Sequence, residues 1–206
     1  MSRLVGHRRT ERTRIEQRSS KRSQAIAFRV NDYLALVFHN LPVNRAVRGA
    51  TERILQRALI LLHHAINDDS IRGTFHVVFF PGGLIARDGA SYDAYLCSPG
   101  SPSWRAVEKW IDGEEPVIAL SGKAIVTNAK AYGEYGAILN LAETFYHELL
   151  HLAGLGHAEI LPSLEPFLRR AADVSVPFVP KGSSQQFYPT LEMMIMRLRL
   201  TCRDDD

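Results

Sequence analysis

Three imidazoles, a carboxylate and two glycines fall together in His147-Glu148-Leu149-Leu150-His151-Leu152-Ala153-Gly154-Leu155-Gly156-His157. On a helix, residues four apart share a face about one turn apart, so His147 and His151 point the same way. Two neutral imidazole nitrogens so placed can reach one Zn²⁺ at about 2.0–2.1 Å. Glu148, beside the first ligand, is positioned to take a proton from a water that the metal activates. Gly154 can adopt the left-handed conformation that ends a helix and reverses the chain. His157 then returns to the metal as a third ligand. The chemistry implied is metal-assisted hydrolysis with Glu148 as general base.

The segment resembles the zinc-binding signature of the metzincin metallopeptidases, HExxHxxGxxH, at every fixed position. A bare HExxH fixes only three positions. The added glycine and histidine lower the rate of chance matches by roughly a few hundred-fold, which makes the likeness specific. It implies a zinc metalloendopeptidase with His147, His151 and His157 on the metal, acting on a protein or peptide substrate. It also implies an α+β, zincin-like fold: a mixed twisted sheet with a long helix and an active-site helix, then a small, mostly helical or irregular C-terminal subdomain. In that family a strand just before the active-site helix borders the cleft and pairs with extended substrate, and Pro116–Asn128 holds the candidate. A methionine in a tight turn beneath the zinc is also expected. Met193 or Met194 is the candidate, although Met193, Met194 and Met196 all lie in a segment with helical character. Ala158, after the third histidine, points to no subfamily. Other zincins use a carboxylate further along as third ligand, and Glu159 or Glu165 would be the nearest here.

The elements around the motif have to carry it. At about 100° per residue, a helix over 137–153 puts Asn140, Glu143, Thr144, His147 and His151 on one side. Ile138, Leu141, Ala142, Phe145, Leu149 and Leu152 fall on the other. One face is polar and chemical, the other suits a core. Glu143, one turn before His147, is placed to orient a ligand imidazole. Gly133 and Gly136 bracket the start of this helix.

Upstream, Tyr33–Phe38 and Phe75–Phe80 read as buried strands. Between them Asn44 caps a helix to about Asn67 whose apolar stripe includes Ile54, Ala58, Leu61, Leu62 and Ala65. His63 and His64 near its end lack ligand spacing and read as structural. Leu84–Arg87 or Tyr92–Cys97 supplies another strand, and Trp104–Ile111 a short helical insertion. Val117–Leu120 and Ala124–Asn128 read as two strands of a hairpin around Ser121-Gly122-Lys123. Downstream, a short helix is expected around Leu164–Ala172, an extended stretch over Val174–Pro180, and a last helix from Thr190 to about Leu200.

The chain has 206 residues and a net charge of +3 that conceals an asymmetry. Residues 1–30 hold nine Lys/Arg against two Asp/Glu, and residues 31–206 hold 16 against 20. The first part reads as a flexible basic arm over 1–28, preceding a catalytic domain over 29–206 with an upper part to about 156 and a lower part from about 157. Such an arm can contact nucleic acid or an acidic partner. The alternative to a peptidase is therefore a zinc-containing binding or regulatory module docked through residues 1–30. No apolar run approaches the ~20 residues of a membrane span, and the N-terminus lacks an apolar signal core. A cytoplasmic protein with Cys97 and Cys202 as free thiols is the expectation.

Overall fold

The computed structural model describes residues 25–41, 45–66, 71–85, 91–175 and 191–196. Residues 1–24 of the expected basic arm over 1–28, Asn44, residues 176–190 and Cys202 lie outside them. Within them, a five-stranded mixed sheet separates two unequal apolar layers. The strands are β1 (Ile26–Arg29), β2 (Leu34–His39), β3 (Gly73–Phe80), β6 (Ala94–Cys97) and β7 (Val117–Ser121), in the order β1-β2-β3-β7-β6. β2, β3 and β7 run parallel, while β1 and β6 run antiparallel at the two edges. β4 (Leu84–Ile85) and β5 (Ser91–Tyr92) form a separate two-stranded ribbon. Ile26–Arg29, at the end of the stretch read as an arm, is thus part of the sheet.

The alternation of side chains along a strand sends successive residues to opposite faces. Leu34, Leu36 and Phe38 of β2, with Val77 and Phe79 of β3 and Ile118 and Leu120 of β7, face the larger core. Three helices close that core: α1 (Arg45–Ala65), α3 (Gly122–Leu152) and α4 (His157–Ser175). The apolar residues expected to line α1, Ile54, Ala58, Leu61, Leu62 and Ala65, are buried there. The other sheet face carries Val78, Val117 and Ala119 under α2 (Trp104–Val107) and the 3₁₀ turn Glu108–Trp110, the helical insertion expected at that point. None of the helices among the described residues is long and apolar enough to cross a membrane.

Two expectations fail around β7. The hairpin is absent, because Ala124–Asn128 is helical and belongs to α3. The β-branched run Ile125-Val126-Thr127 suggests a strand, but Ser121 acts as an N-cap: its hydroxyl accepts a hydrogen bond from the Ala124 N–H at 3.1 Å and satisfies one of the helix's free donors. Nor is β7 an edge. It lies between β3 and β6, so the edge strand on this side is β6.

α3 has a break at Gly133, with φ 72 and ψ 173, that divides it into limbs over 122–132 and 134–152. Beyond the break, Glu134 takes Arg53 and Arg57 of α1 as partners at 3.0 and 3.1 Å. The break thus sets the direction of the limb that carries the histidines. A side chain at that φ and ψ costs about 1–3 kcal/mol. Gly133→Ala should therefore lower the unfolding free energy by that amount in urea titrations, and an unchanged midpoint would show the break to be permissive.

α4 begins at His157, well before the short helix expected around Leu164–Ala172. Pro162 and Pro166 lie inside it, where each removes a backbone donor. Complete burial of Ile160, Leu164, Phe167, Leu168 and Ala171 offsets that loss by roughly 1.5–3 kcal/mol for each large side chain. Residues 191–196 are helical, within the range expected for the last helix.

Candidate metal centre

Local backbone chemistry brings the three histidines together. α3 ends in a Schellman arrangement: the Leu155 N–H donates to the Leu150 carbonyl at 3.1 Å and the Gly154 N–H to the His151 carbonyl at 2.9 Å. Gly154 takes the left-handed conformation this requires, with φ 89, and Leu150 and Leu155 both join the core. Two residues later α4 starts. The Glu159 carboxylate accepts from the Gly156 N–H at 2.9 Å, the reciprocal half of a capping box. His157 is the first residue of α4. One helix stops, turns on a glycine and restarts, and the third imidazole swings back over the first two.

The three Nε2 atoms converge. His151 Nε2 lies 3.0 Å from His147 Nε2 and 3.2 Å from His157 Nε2. The ligand atoms of all three lie within 4.8 Å of one another, and among the described residues no other group of three His, Cys, Asp or Glu does so. Tetrahedral ligands at about 2.0–2.1 Å sit about 3.3 Å apart, so separations of 3.0 and 3.2 Å suit nitrogens around one small cation. The donor chemistry agrees. His151 Nδ1 lies 2.9 Å from the Leu155 carbonyl, which accepts only if Nδ1 carries the proton; Nε2 then presents a lone pair. One lone pair serves two imidazole neighbours poorly, whereas three lone pairs suit a cation. The residues present therefore fit a bound metal ion.

Glu143 Oε1 stands 4.0 Å from His147 Nδ1, beyond hydrogen-bond reach but on the side an orienting carboxylate would occupy. Tyr146 stacks on Phe167 with ring centroids 4.4 Å apart and locks α3 to α4 beside the cluster. Glu159 and Glu165 are otherwise engaged, the first in the cap and the second with Arg169 at 2.9 Å. Met194 is buried in the large core and Met193 is exposed, both inside the helical residues 191–196. The described residues thus show neither methionine in a tight turn. His63 and His64 are exposed on α1. His39 and His76 pair at 2.8 Å on the other sheet face, outside the cluster.

Burial sets the electrostatics. Glu148 is 7% exposed, and that burial pushes its carboxyl up to about 7. His147 is pushed down to about 4 by burial first and then by His151 and His157; burial also lowers His151. Neutral imidazoles at neutral pH are the form that binds a metal. The two large shifts have opposite consequences in the metal-free chain. His147, depressed from 6.5 to about 4, contributes stability that is present above 6.5 and lost as pH falls toward 4. Glu148, raised from 4.5 to about 7, contributes stability that is present below 4.5 and lost as pH rises toward 7. Each is worth about 3 kcal/mol. Metal-free Glu148→Gln should therefore gain about 3 kcal/mol on wild type between pH 4.5 and 7, read from paired urea titrations. A constant difference across that window would show that Glu148 is not held in a desolvated site.

The sequence points to the histidines and to Glu148 but not to three parts of this arrangement. The Leu155 carbonyl carries no side-chain signal. The edge strand β6 packs against α3, and Cys97 at its end is a buried free thiol that burial pushes up. Asp93, which bonds to α3, stands where no motif marks it. Searches against protein-family models, curated proteins and solved structures find no match to the chain.

Proposed function

We propose that the chain is a zinc-dependent metallopeptidase of zincin type, with His147, His151 and His157 as metal ligands and Glu148 as general base. The observation that carries this reading is the convergence of the three Nε2 atoms, with the buried Glu148 next to His147 along the helix. The specific likeness of His147–His157 to the metzincin signature supports peptide as the substrate class. Zinc, when held by the three imidazoles, would supply Lewis acidity to a water and to a substrate carbonyl.

The chain's own residues do the rest. The Leu155 carbonyl holds the proton on His151 Nδ1 and keeps Nε2 free to ligate. A Glu148 carboxylate oxygen takes the proton of the attacking water and returns it to the leaving amine. A structural site has no need of such a base, which favours catalysis over a purely structural metal.

The test is digestion of a peptide library by the zinc-loaded chain, followed by mass spectrometry. Cleavage that chelation stops and zinc restores is the expected result. A zinc-loaded chain that cleaves nothing yet binds DNA through residues 1–30, with strong salt dependence, would favour the binding-module alternative.

A further inference from the structure

The polar face of α3 extends beyond the histidines. Asn140, two turns before His147, is 6% exposed and its Nδ2 donates to Asp93 Oδ2 at 2.9 Å. Asn128, on the other limb of α3, donates to the same oxygen at 3.0 Å. The Asp93 main-chain carbonyl accepts from the N–H of Ser121, the α3 N-cap, at 2.9 Å. Asp93 itself stands directly before the edge strand β6. One residue therefore ties the start of β6 to the cap of α3 and to both limbs across the Gly133 break. Beyond it, β6 packs against α3. The shared Asp93 oxygen thus fixes the start of β6 against Asn128 and Asn140 of α3.

We propose that Asp93 is a positioning residue, a clamp that fixes the edge strand β6 in register with the limb of α3 carrying Glu148 and His147. This rests on the peptidase reading only for its effect on turnover. The clamp itself is a statement about β6 and α3. α3 is broken at Gly133, and a carboxylate that accepts from both of its limbs is a stronger tie than a neutral acceptor. None of the three histidines touches Asp93, so the clamp acts on the cleft wall and not on metal binding.

The test uses the full chain, loaded with zinc, as wild type, Asp93→Ala and Asp93→Asn. The readouts are amide exchange at residues 94–97, zinc affinity by competition with a chromophoric chelator, and kcat/KM on a peptide cleaved by wild type. Asp93→Ala should speed exchange in 94–97 by about tenfold relative to the rest of the sheet. It should lower kcat/KM by about tenfold or more and leave zinc affinity within about threefold. Asp93→Asn, which keeps an acceptor for both amides, should recover most of each loss. Should Asp93→Ala fail to fold, Asn140→Ala removes one tie and should give the same local exchange at smaller amplitude. Exchange in 94–97 that stays at the wild-type rate, or that rises equally throughout the chain, overturns the clamp. So does a zinc affinity that falls as far as turnover. If wild type cleaves no peptide, the peptidase reading alone fails, and exchange with zinc affinity still decides the clamp.

Discussion

Glu148→Gln should reduce peptide turnover by about 10²–10⁴-fold while leaving zinc content at the wild-type level. The side chain follows His147 directly along α3 and lies outside the cluster of three imidazoles. Glutamine preserves size and hydrogen-bonding capacity and removes only the ability to take and return a proton. The metal would still activate water, so a residual rate is expected rather than none. Wild-type turnover in a clean Glu148→Gln preparation would remove the general-base assignment. Loss of zinc in the variant would mean instead that Glu148 holds the metal or its ligands in place.

The second large effect concerns the third ligand. His157→Ala should weaken zinc binding by more than about 100-fold, since loss of even a supporting contact in such sites costs 10–100-fold. Glu159→Gln should change it by less than about threefold, because Glu159 is engaged in capping Gly156 and glutamine can still accept that bond. Competition titration against a chelator reads both. The reverse ranking would move the third ligand to the carboxylate. The contrast is sharp because His157 and Glu159 lie two residues apart on the same helical turn, and only the imidazole faces the other two.

The motif residues were legible in the sequence because their spacing alone constrains geometry: four residues along a helix, then a glycine and a return. The buried apolar face of α3 was legible for the same reason, and Ile138, Leu141, Ala142, Phe145 and Leu149 all enter the core. What escaped depends on competition between local preferences and distant partners. Ile125-Val126-Thr127 favours a strand by side-chain shape, but the Ser121 cap and the Asp93–Asn128 bond stabilise a helix there. Pro162 and Pro166 look like breaks, yet the packing of Phe167 and Leu168 keeps α4 continuous through them. The place of β6 at the sheet edge is a matter of strand order, which no local pattern encodes. The mixed sheet, the long helix and the histidine-bearing helix correspond to the expected α+β architecture at that coarse level.

The proposed centre is one metal ion held by three histidines with a position left open for chemistry. X-ray absorption at the zinc edge of the purified, zinc-loaded chain tests it most directly. One zinc per chain is expected, with three imidazoles at about 2.0–2.1 Å and one further light atom from solvent. A fourth ligand from the protein would close the site and contradict the catalytic reading, and fewer than three imidazoles would contradict the site itself.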